Sequence, residues 1–192
     1  MTDAFSSGTL VGAGSFRCEG CGFGLALREL DPLPDCPECG GSSFRRALLF
    51  EPDEHPADHH QVAGAPRWLE AARGAIEEAG DYLAYAADEQ AEVVALAAGW
   101  TRVGRSLSAD LRFDDPTVSR RHALVYREPD GGARILDDRS LNGVFLNGER
   151  VELAELEDGD EIAIGRFTLF FLRAPDPPAR PGGVPPRTAL AS

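Results

Sequence analysis

Residues 144–153 read Val-Phe-Leu-Asn-Gly-Glu-Arg-Val-Glu-Leu, and this stretch decides the fold class of the C-terminal half. Two short apolar runs flank the dipeptide Asn147-Gly148, which is a preferred pair for a two-residue type I′ turn. Both central residues of that turn need a positive φ, and asparagine and glycine adopt it at low cost. The stretch therefore predicts an antiparallel β-hairpin.

Further β-like runs of similar length lie on both sides of this hairpin and alternate with turn residues. Short strands at such close spacing predict an antiparallel β-sandwich over residues 81–173. The expected strands are Tyr82–Ala86, Val93–Ala97, Thr101–Val103, Ala123–Tyr126, Ala133–Leu136, Val144–Leu146, Arg150–Leu153, Glu161–Ile164 and Thr168–Leu172.

A short helix is expected immediately before the sandwich, over residues 66–80. Trp68, Leu69, Ala72 and Ile76 recur at three- and four-residue steps, which is the spacing of one helix face. Pro66 suits the start of a helix, and a glycine at position 80 can close its end.

The remaining segments differ from the sandwich in composition. Residues 1–14 are small and polar and predict a flexible N-terminus, whereas residues 15–50 hold every cysteine of the chain. Residues 51–65 are acidic and interrupted by prolines, which indicates a linker. The proline-rich residues 174–192 are expected to form a disordered tail.

The overall charge limits the classes of partner. The net charge of the 192-residue chain is −13, so the chain as a whole is not expected to wrap nucleic acid. No apolar run approaches the ~20 residues that cross a bilayer, and no signal peptide is recognised, so a cytoplasmic location is expected.

The cysteines form two CxxC motifs, Cys18-Glu-Gly-Cys21 and Cys36-Pro-Glu-Cys39, with 14 residues between them. Two such motifs supply four thiolates, which suits one tetrahedral structural zinc ion that is closed to substrate. Iron and a redox or disulfide role are the alternatives, although a redox CxxC normally occurs singly in a βαβ pattern. The paired motifs resemble the zinc-ribbon family. Because the segment is short, metal binding should supply most of its folding free energy, on the order of 10 kcal/mol.

A second candidate site lies in the sandwich, which is itself acidic. Residues 81–173 hold 18 Asp or Glu and 11 Arg, which gives 11 − 18 = −7. Cations gathered on adjacent loops of a sandwich can nevertheless form one anion site. The arginines in or beside the predicted turns are Arg102, Arg105, Arg112, Arg120, Arg121 and Arg139.

Several short motifs follow one another in the same half of the chain. They are Gly104-Arg105-Ser106, Ser119-Arg120-Arg121-His122-Ala123, Asp137-Asp138-Arg139-Ser140-Leu141-Asn142-Gly143, Val144-Phe145-Leu146-Asn147-Gly148, Leu156-Glu157-Asp158-Gly159-Asp160 and Ile164-Gly165. In order and spacing, over about residues 81–173, they resemble the forkhead-associated (FHA) domain family.

The resemblance implies a phosphothreonine site on the loops of the sandwich. Arg105 is expected to contact the phosphate with its planar guanidinium, and the Ser119 hydroxyl to donate a second hydrogen bond. Arg120 and the backbone of its loop would complete the anion cradle, and Asn142 would hold the main chain of the peptide. Charge-assisted donors of this kind hold a phosphate dianion well.

Four further positions have structural roles or depart from the family pattern. By resemblance, His122 braces the loop that presents Ser119, and Gly104 and Gly143 permit tight turns. Many FHA domains have threonine where this chain has Leu141. The Leu141 backbone N–H can still serve, but a hydroxyl contact is lost, and its side chain could form an apolar wall beside the threonine methyl group.

These features together predict a binding protein rather than an enzyme. The expected function is that of an adaptor in serine/threonine kinase signalling, which binds a phosphothreonine-containing partner protein. A degenerate FHA scaffold is one alternative, and a nucleic-acid-associated regulator whose zinc ribbon contacts DNA or RNA is another. Thr188, which follows Arg187 in the tail, is a candidate for intramolecular binding after phosphorylation.

Overall fold

The computed structural model describes residues 4–28, 31–47, 64–87, 90–129 and 131–175. Most of the expected linker, most of the tail and Thr188 therefore lie outside the described residues. Within the described ranges, no helix is both long enough and apolar enough to span a membrane.

The N-terminal unit is a small antiparallel sheet. It contains β1 (Ala4–Ser6), β2 (Gly14–Cys18), β3 (Gly24–Leu27) and β4 (Ser43–Arg46), in the spatial order β1-β4-β2-β3. The expected flexible N-terminus instead contributes β1, because the Phe5 ring packs edge-on against Phe16 at 5.6 Å. Phe16, Leu25 and Phe44 are fully buried, so this unit also has a small apolar core.

The predicted helix is present but shorter than expected. α1 spans Arg67–Gly74, with Pro66 at its N-cap, and position 80 begins the first strand of the sandwich instead of closing the helix. Leu69 and Ala72 are buried, and Trp68 packs edge-on against Phe170 at a centroid distance of 5.7 Å. α1 therefore covers part of the sheet that holds Phe170.

The C-terminal unit is a β-sandwich, which confirms the predicted fold class. Its strands are β5 (Gly80–Ala87), β6 (Gln90–Ala95), β7 (Gly99–Gly104), β8 (Leu111–Arg112), β9 (Ala123–Arg127), β10 (Ala133–Asp137), β11 (Val144–Leu146), β12 (Glu149–Val151), β13 (Leu153–Glu155), β14 (Glu161–Ile164) and β15 (Phe167–Ala174). A five-stranded sheet has the order β13-β10-β9-β7-β8, and a six-stranded sheet has the order β12-β11-β14-β15-β5-β6.

The predicted hairpin is confirmed, whereas two details of the strand assignment differ. β11 pairs with β12 across Asn147 and Gly148, whose φ values are 50° and 85°. The single run predicted at Arg150–Leu153 is two strands, because the chain passes there from the six-stranded sheet to the five-stranded one. β8 was not predicted, and it pairs with β7 in parallel in an otherwise antiparallel arrangement.

One apolar core fills the space between the two sheets. Fully buried side chains come from both of them: Val125 and Ile135 from the five-stranded sheet, and Ile162, Leu169 and Phe171 from the six-stranded sheet. Full burial of each such side chain stabilises the fold by about 1.5–3 kcal/mol.

A buried carboxylate also joins the two sheets. Asp81 in β5 is 3% exposed, and it accepts hydrogen bonds from Arg127 Nε in β9 at 2.9 Å and from Arg173 Nε in β15 at 2.8 Å. Gly80 and Ala174 are paired residues of β5 and β15, so the sandwich begins and ends at adjacent positions.

Candidate functional site

The four predicted metal ligands lie together in the N-terminal unit. The sulfur atoms of Cys18, Cys21, Cys36 and Cys39 all lie within 4.8 Å of one another. The Cys18–Cys39 and Cys21–Cys36 sulfur pairs are 3.6 and 3.5 Å apart, well beyond a disulfide bond. Four thiolates around zinc at about 2.3 Å are about 3.8 Å from each other, so the cluster fits a tetrahedral ion.

The surroundings of the cluster favour a bound cation over free thiolates. Cys18 and Cys36 are almost completely buried. Burial raises the pKa of the Cys36 thiol and, more strongly, that of Cys21. A metal ion removes these protons on binding, and its charge then compensates the thiolates that burial would otherwise disfavour.

In the sandwich, backbone hydrogen bonds place the loops that follow β7 and precede β9 side by side. Arg105 N donates to Ser119 O at 2.9 Å, and Ser106 N donates to Arg120 O at 3.1 Å. A Cβ at Gly104 would lie 2.5 Å from Arg120 O. Gly104 thus permits a close approach of two backbones, rather than the tight turn expected from the sequence.

His122 holds the loop that precedes β9 in place from the buried side. Its ring is fully buried, and Nδ1 accepts a hydrogen bond from Ser119 N at 3.0 Å. Nε2 therefore carries the proton and donates to Gly143 O at 3.1 Å. Burial lowers the pKa of His122, which favours this neutral form. The histidine connects the Ser119 loop to the loop that follows β10.

The loop after β10 is positioned by short local contacts. Ser140 N donates to Asp137 Oδ1 at 2.7 Å, and Gly143 N donates to Ser140 Oγ at 2.8 Å. Gly143 has a φ of 86°, as expected for a tight turn. Leu141 N donates to Ser119 Oγ at 2.9 Å, which leaves the Ser119 hydroxyl hydrogen free to point elsewhere.

The six candidate arginines divide into two groups. Arg102, Arg112 and Arg121 form ion pairs with Asp110, Asp114 and Asp138. Arg105, Arg120 and Arg139 have no ion pair in the part of the chain that the structure describes, and they line one groove of about 1700 Å³ together with Ser119. This groove can take an anion.

The N-terminal sheet forms the other wall of the groove. Ala26 and Arg46 line it, and Arg105 Nη1 donates to Ala26 O at 2.5 Å. Arg105 is 9% exposed, and burial together with nearby Arg28 lowers its guanidinium pKa. Asn142, 3% exposed, accepts from Gly24 N at 2.7 Å and donates to Gly24 O at 2.9 Å.

Two family models match the chain, one in each unit. The model described as "FHA domain" matches residues 101–165, which contain the sandwich loops that line the groove. The chain carries an FHA domain. The model described as "Zinc-ribbon containing domain" matches residues 2–48, which contain the cysteine cluster, so a zinc ribbon precedes the FHA domain.

Curated relatives match the same region. The glycogen accumulation regulator GarA of Mycolicibacterium smegmatis is 47% identical over 75 residues, which cover 39% of this chain and 47% of that protein. The oxoglutarate dehydrogenase inhibitor of Corynebacterium diphtheriae is 44% identical over 75 residues, which cover 39% of this chain and 52% of that protein. The chain spans about half the length of these relatives.

Solved structures also resemble the chain over about half of its length. A chain from a study of phosphothreonine-dependent FHA domain interactions has a TM-score of 0.47 and 29% identity, covering 50% of this chain and 97% of its own. Mycobacterium tuberculosis EmbR in complex with a low-affinity phosphopeptide has a TM-score of 0.45 and 32% identity, covering 52% and 26%.

The structure places Arg105, Ser119, Arg120 and Leu141 along one groove, whereas Asn142 does not line it and is buried against Gly24 of the ribbon. The ribbon residues at this site were not predicted from the sequence. Gly24 and Ala26 contact Asn142 and Arg105 although about 80 to 120 positions separate them along the chain. One signal was present in the sequence. Gly24 begins β3, and a glycine in a strand often marks the close approach of another backbone.

Proposed function

We propose that this protein is a phosphothreonine-dependent adaptor that binds partner proteins in serine/threonine kinase signalling. The observation that carries the proposal is the convergence of Ser119, Arg120 and Arg105 on one open groove of the FHA domain. Arg120 has no ion-pair partner among the described residues, and the Ser119 hydroxyl retains its hydrogen for an acceptor. A phosphate dianion is the ligand that such donors suit best.

The groove is also pre-organised, which favours binding over a scaffold role. Ser119 is held by His122 below and by Leu141 N beside it, so its hydroxyl does not have to be ordered when a ligand arrives. Leu141 lies beside Ser119 and lines the groove, and its side chain packs against Gly24 of the ribbon. These positions support the roles that the FHA resemblance assigns to Ser119, Arg120 and Leu141.

The ribbon is proposed to hold one structural zinc ion through Cys18, Cys21, Cys36 and Cys39. When bound, the ion supplies cross-links between the two CxxC motifs and no open coordination position for a substrate. The contacts of the ribbon favour docking on the FHA domain over nucleic-acid binding. Arg17 donates to Leu141 O at 3.4 Å and Arg28 pairs with Asp114, so two of its cations face the FHA domain.

We place this adaptor downstream of a kinase. A cytoplasmic serine/threonine kinase would generate the phosphothreonine in a partner protein. The relatives named above are a regulator and an inhibitor, and the FHA domain is a binding domain, which supports a role as a binding protein rather than an enzyme. Phosphorylated Thr188 remains a proposed intramolecular ligand.

The proposal is tested with a fluorescent peptide pool that has phosphothreonine fixed and flanking positions randomised. Ser119→Ala or Arg120→Ala should weaken binding about ten- to a hundredfold, since hydrogen bonds to charged groups contribute about 1.5–3 kcal/mol each.

Arg102→Ala is the matched control, because it removes the same charge from an arginine that is paired with Asp110. The phosphoserine pool, which lacks one methyl group per site, should bind more weakly. Equal binding of phosphorylated and unphosphorylated pools, or equal losses in Arg120→Ala and Arg102→Ala, would contradict the proposal.

A further inference from the structure

The edge strand of the zinc ribbon lies against the FHA groove through its backbone. β3 is at the edge of the ribbon sheet and pairs with β2 on one side only. On its other side, the N–H and C=O groups of Gly24 and Ala26 are all bonded to the FHA domain. Gly24 exchanges two hydrogen bonds with Asn142, Ala26 N donates to Pro116 O at 2.8 Å, and Ala26 O accepts from Arg105.

An extended peptide that binds beside a folded domain is held by the same kind of main-chain hydrogen bonds. The bonds are made to main-chain groups of alternate residues, so they do not depend on the side chains of the bound strand. Arg105 and Asn142 are also two of the residues that the FHA resemblance assigns to ligand binding. β3 therefore uses the contacts that a partner peptide would need.

The Asn142 amide has no remaining capacity to donate. It has two N–H bonds, and its Nδ2 donates to Gly24 O at 2.9 Å and to Thr117 O at 2.8 Å. Its oxygen accepts from Gly24 N. While the ribbon is docked, Asn142 cannot hold the main chain of a second peptide.

The fit at Gly24 is close enough that a side chain is excluded. A Cβ at this position would overlap the Leu141 side chain and lie 2.9 Å from Asn142 Oδ1. The three atoms nearest to that Cβ all belong to the FHA domain. The absence of a side chain at Gly24 thus permits the close contact with Leu141 and Asn142 in the docked state.

The other part of the groove remains open. Ser119 and Arg120 line the cavity, and the ribbon contacts described above do not use the Arg120 side chain. A phosphate group can therefore reach the cradle, but the chain that carries it has to displace β3 to reach Asn142.

We propose that the zinc ribbon is a built-in competitor for the FHA groove, with β3 occupying the place of the partner's main chain. This inference rests on the proposed function. Binding of a phosphothreonine segment requires an open state in which the ribbon has left the groove. The apparent dissociation constant is then the intrinsic constant divided by the fraction of open molecules.

The full-length chain with Gly24→Val tests the proposal. The added side chain should keep β3 out of the groove and leave Ser119, Arg105 and Asn142 in place. Affinity for the phosphothreonine peptide pool should rise at least about tenfold, which corresponds to a wild-type protein that is about 90% closed.

Thr9→Val is the control, because Thr9 is an exposed ribbon residue that does not line the groove. Affinity should stay at the wild-type value. Arg28→Gln is a second, milder variant. It removes the ion pair with Asp114 across the two units and should raise affinity by a smaller factor.

Hydrogen exchange provides a readout of docking that does not depend on the peptide. The amides of Gly24 and Ala26 should exchange slowly in the wild type and in Thr9→Val, and quickly in Gly24→Val. The amide of Cys18, which bonds to Phe23 O inside the ribbon, should remain protected in all three proteins. Addition of the phosphothreonine pool to the wild type should accelerate exchange at Gly24 and Ala26.

The outcomes separate this inference from the proposed function. Unchanged or weaker peptide binding in Gly24→Val, with the two amides exposed, would overturn the competitor role while leaving phosphothreonine binding intact. No binding of the phosphorylated pool by either protein, with the same exchange pattern, would overturn the proposed function and with it the competition. Fast exchange of both amides in the wild type would show that the docked state is not populated.

Discussion

The zinc ribbon and the FHA sandwich are both small β units, but they are held together by different means. The sandwich has a core of sixteen buried residues between two sheets. The ribbon has a cluster of seven, of which two are Cys18 and Cys36 of the four-cysteine cluster. The sandwich thus folds on apolar burial, whereas we expect the folding of the ribbon to depend on a bound metal. The ribbon lies against the groove of the FHA domain.

Removal of the metal is expected to have the largest effect and to act on the ribbon alone. Metal binding contributes on the order of 10 kcal/mol or more to such a unit, so chelation should unfold β1–β4 while the sandwich stays folded. Hydrogen exchange of residues 4–47, with elemental analysis before and after chelation, measures this. About one equivalent of zinc is expected before treatment.

A double variant, Cys18→Ser with Cys36→Ser, controls for effects of the chelator elsewhere and should show no further change on treatment. Protected ribbon amides after complete removal of the metal would mean that Phe16, Leu25 and Phe44 hold the ribbon on their own. The contrast between the two units would then be one of size only.

The corresponding test of the sandwich is Ile135→Ala, which truncates a side chain in its apolar core. Ile135 is fully buried, and truncation of such a side chain costs about 2–5 kcal/mol. Denaturant unfolding of the sandwich should shift by that amount, while the zinc content and the amide protection within the ribbon stay the same. Leu153→Ala is the control, since Leu153 is 61% exposed and a surface change of this kind costs about 0.5 kcal/mol or less.

The smallest expected effect is a pH dependence confined to the sandwich. Burial lowers the pKa of His122 in the folded state below its unfolded value of about 6.5. The neutral His122 ring therefore contributes its full stabilisation of the fold above pH ~6.5. This stabilisation is lost as the pH falls from there toward the pKa of the folded state. The free energy of unfolding should drop by at most about 1.4 kcal/mol per pH unit in that window.

Urea unfolding of the wild type and of His122→Gln at several pH values measures this dependence. The variant should be less stable throughout, since it loses the bonds to Ser119 N and Gly143 O, and it should lose part of the pH slope. An identical slope in both proteins would assign the pH dependence to other groups.

The features predicted correctly from the sequence are those that a short stretch of chain determines by itself. Asn147-Gly148 specifies its hairpin because the two positive φ values are a local requirement. The two CxxC motifs likewise identify a four-sulfur cluster, since each motif supplies its pair of ligands within a single turn. The roles that the FHA motifs assign to Ser119, Arg120 and His122 stay predictions, although Ser119 and Arg120 line one groove and His122 lies beneath Ser119.

The features that were missed depend on contacts between distant parts of the chain. β8 is two residues long, which is too short for any periodicity, and it exists because Leu111 and Arg112 pair with β7. The division of Arg150–Leu153 between two sheets reflects the geometry of the sandwich, since Glu149–Val151 and Leu153–Glu155 are both β-like. The docking of Gly24 joins residues 118 positions apart, and no local pattern encodes its partner.

The pairing of Gly80 with Ala174 brings the two ends of the sandwich next to each other. Because the chain enters and leaves at neighbouring positions of β5 and β15, the domain can be inserted into a surface loop of another protein without separating the ends of that loop. A short peptide joining the two ends would likewise permit circular permutation, with new termini in a turn such as Asn147-Gly148. Gene fusion could thus move this recognition module between proteins as a single uninterrupted segment.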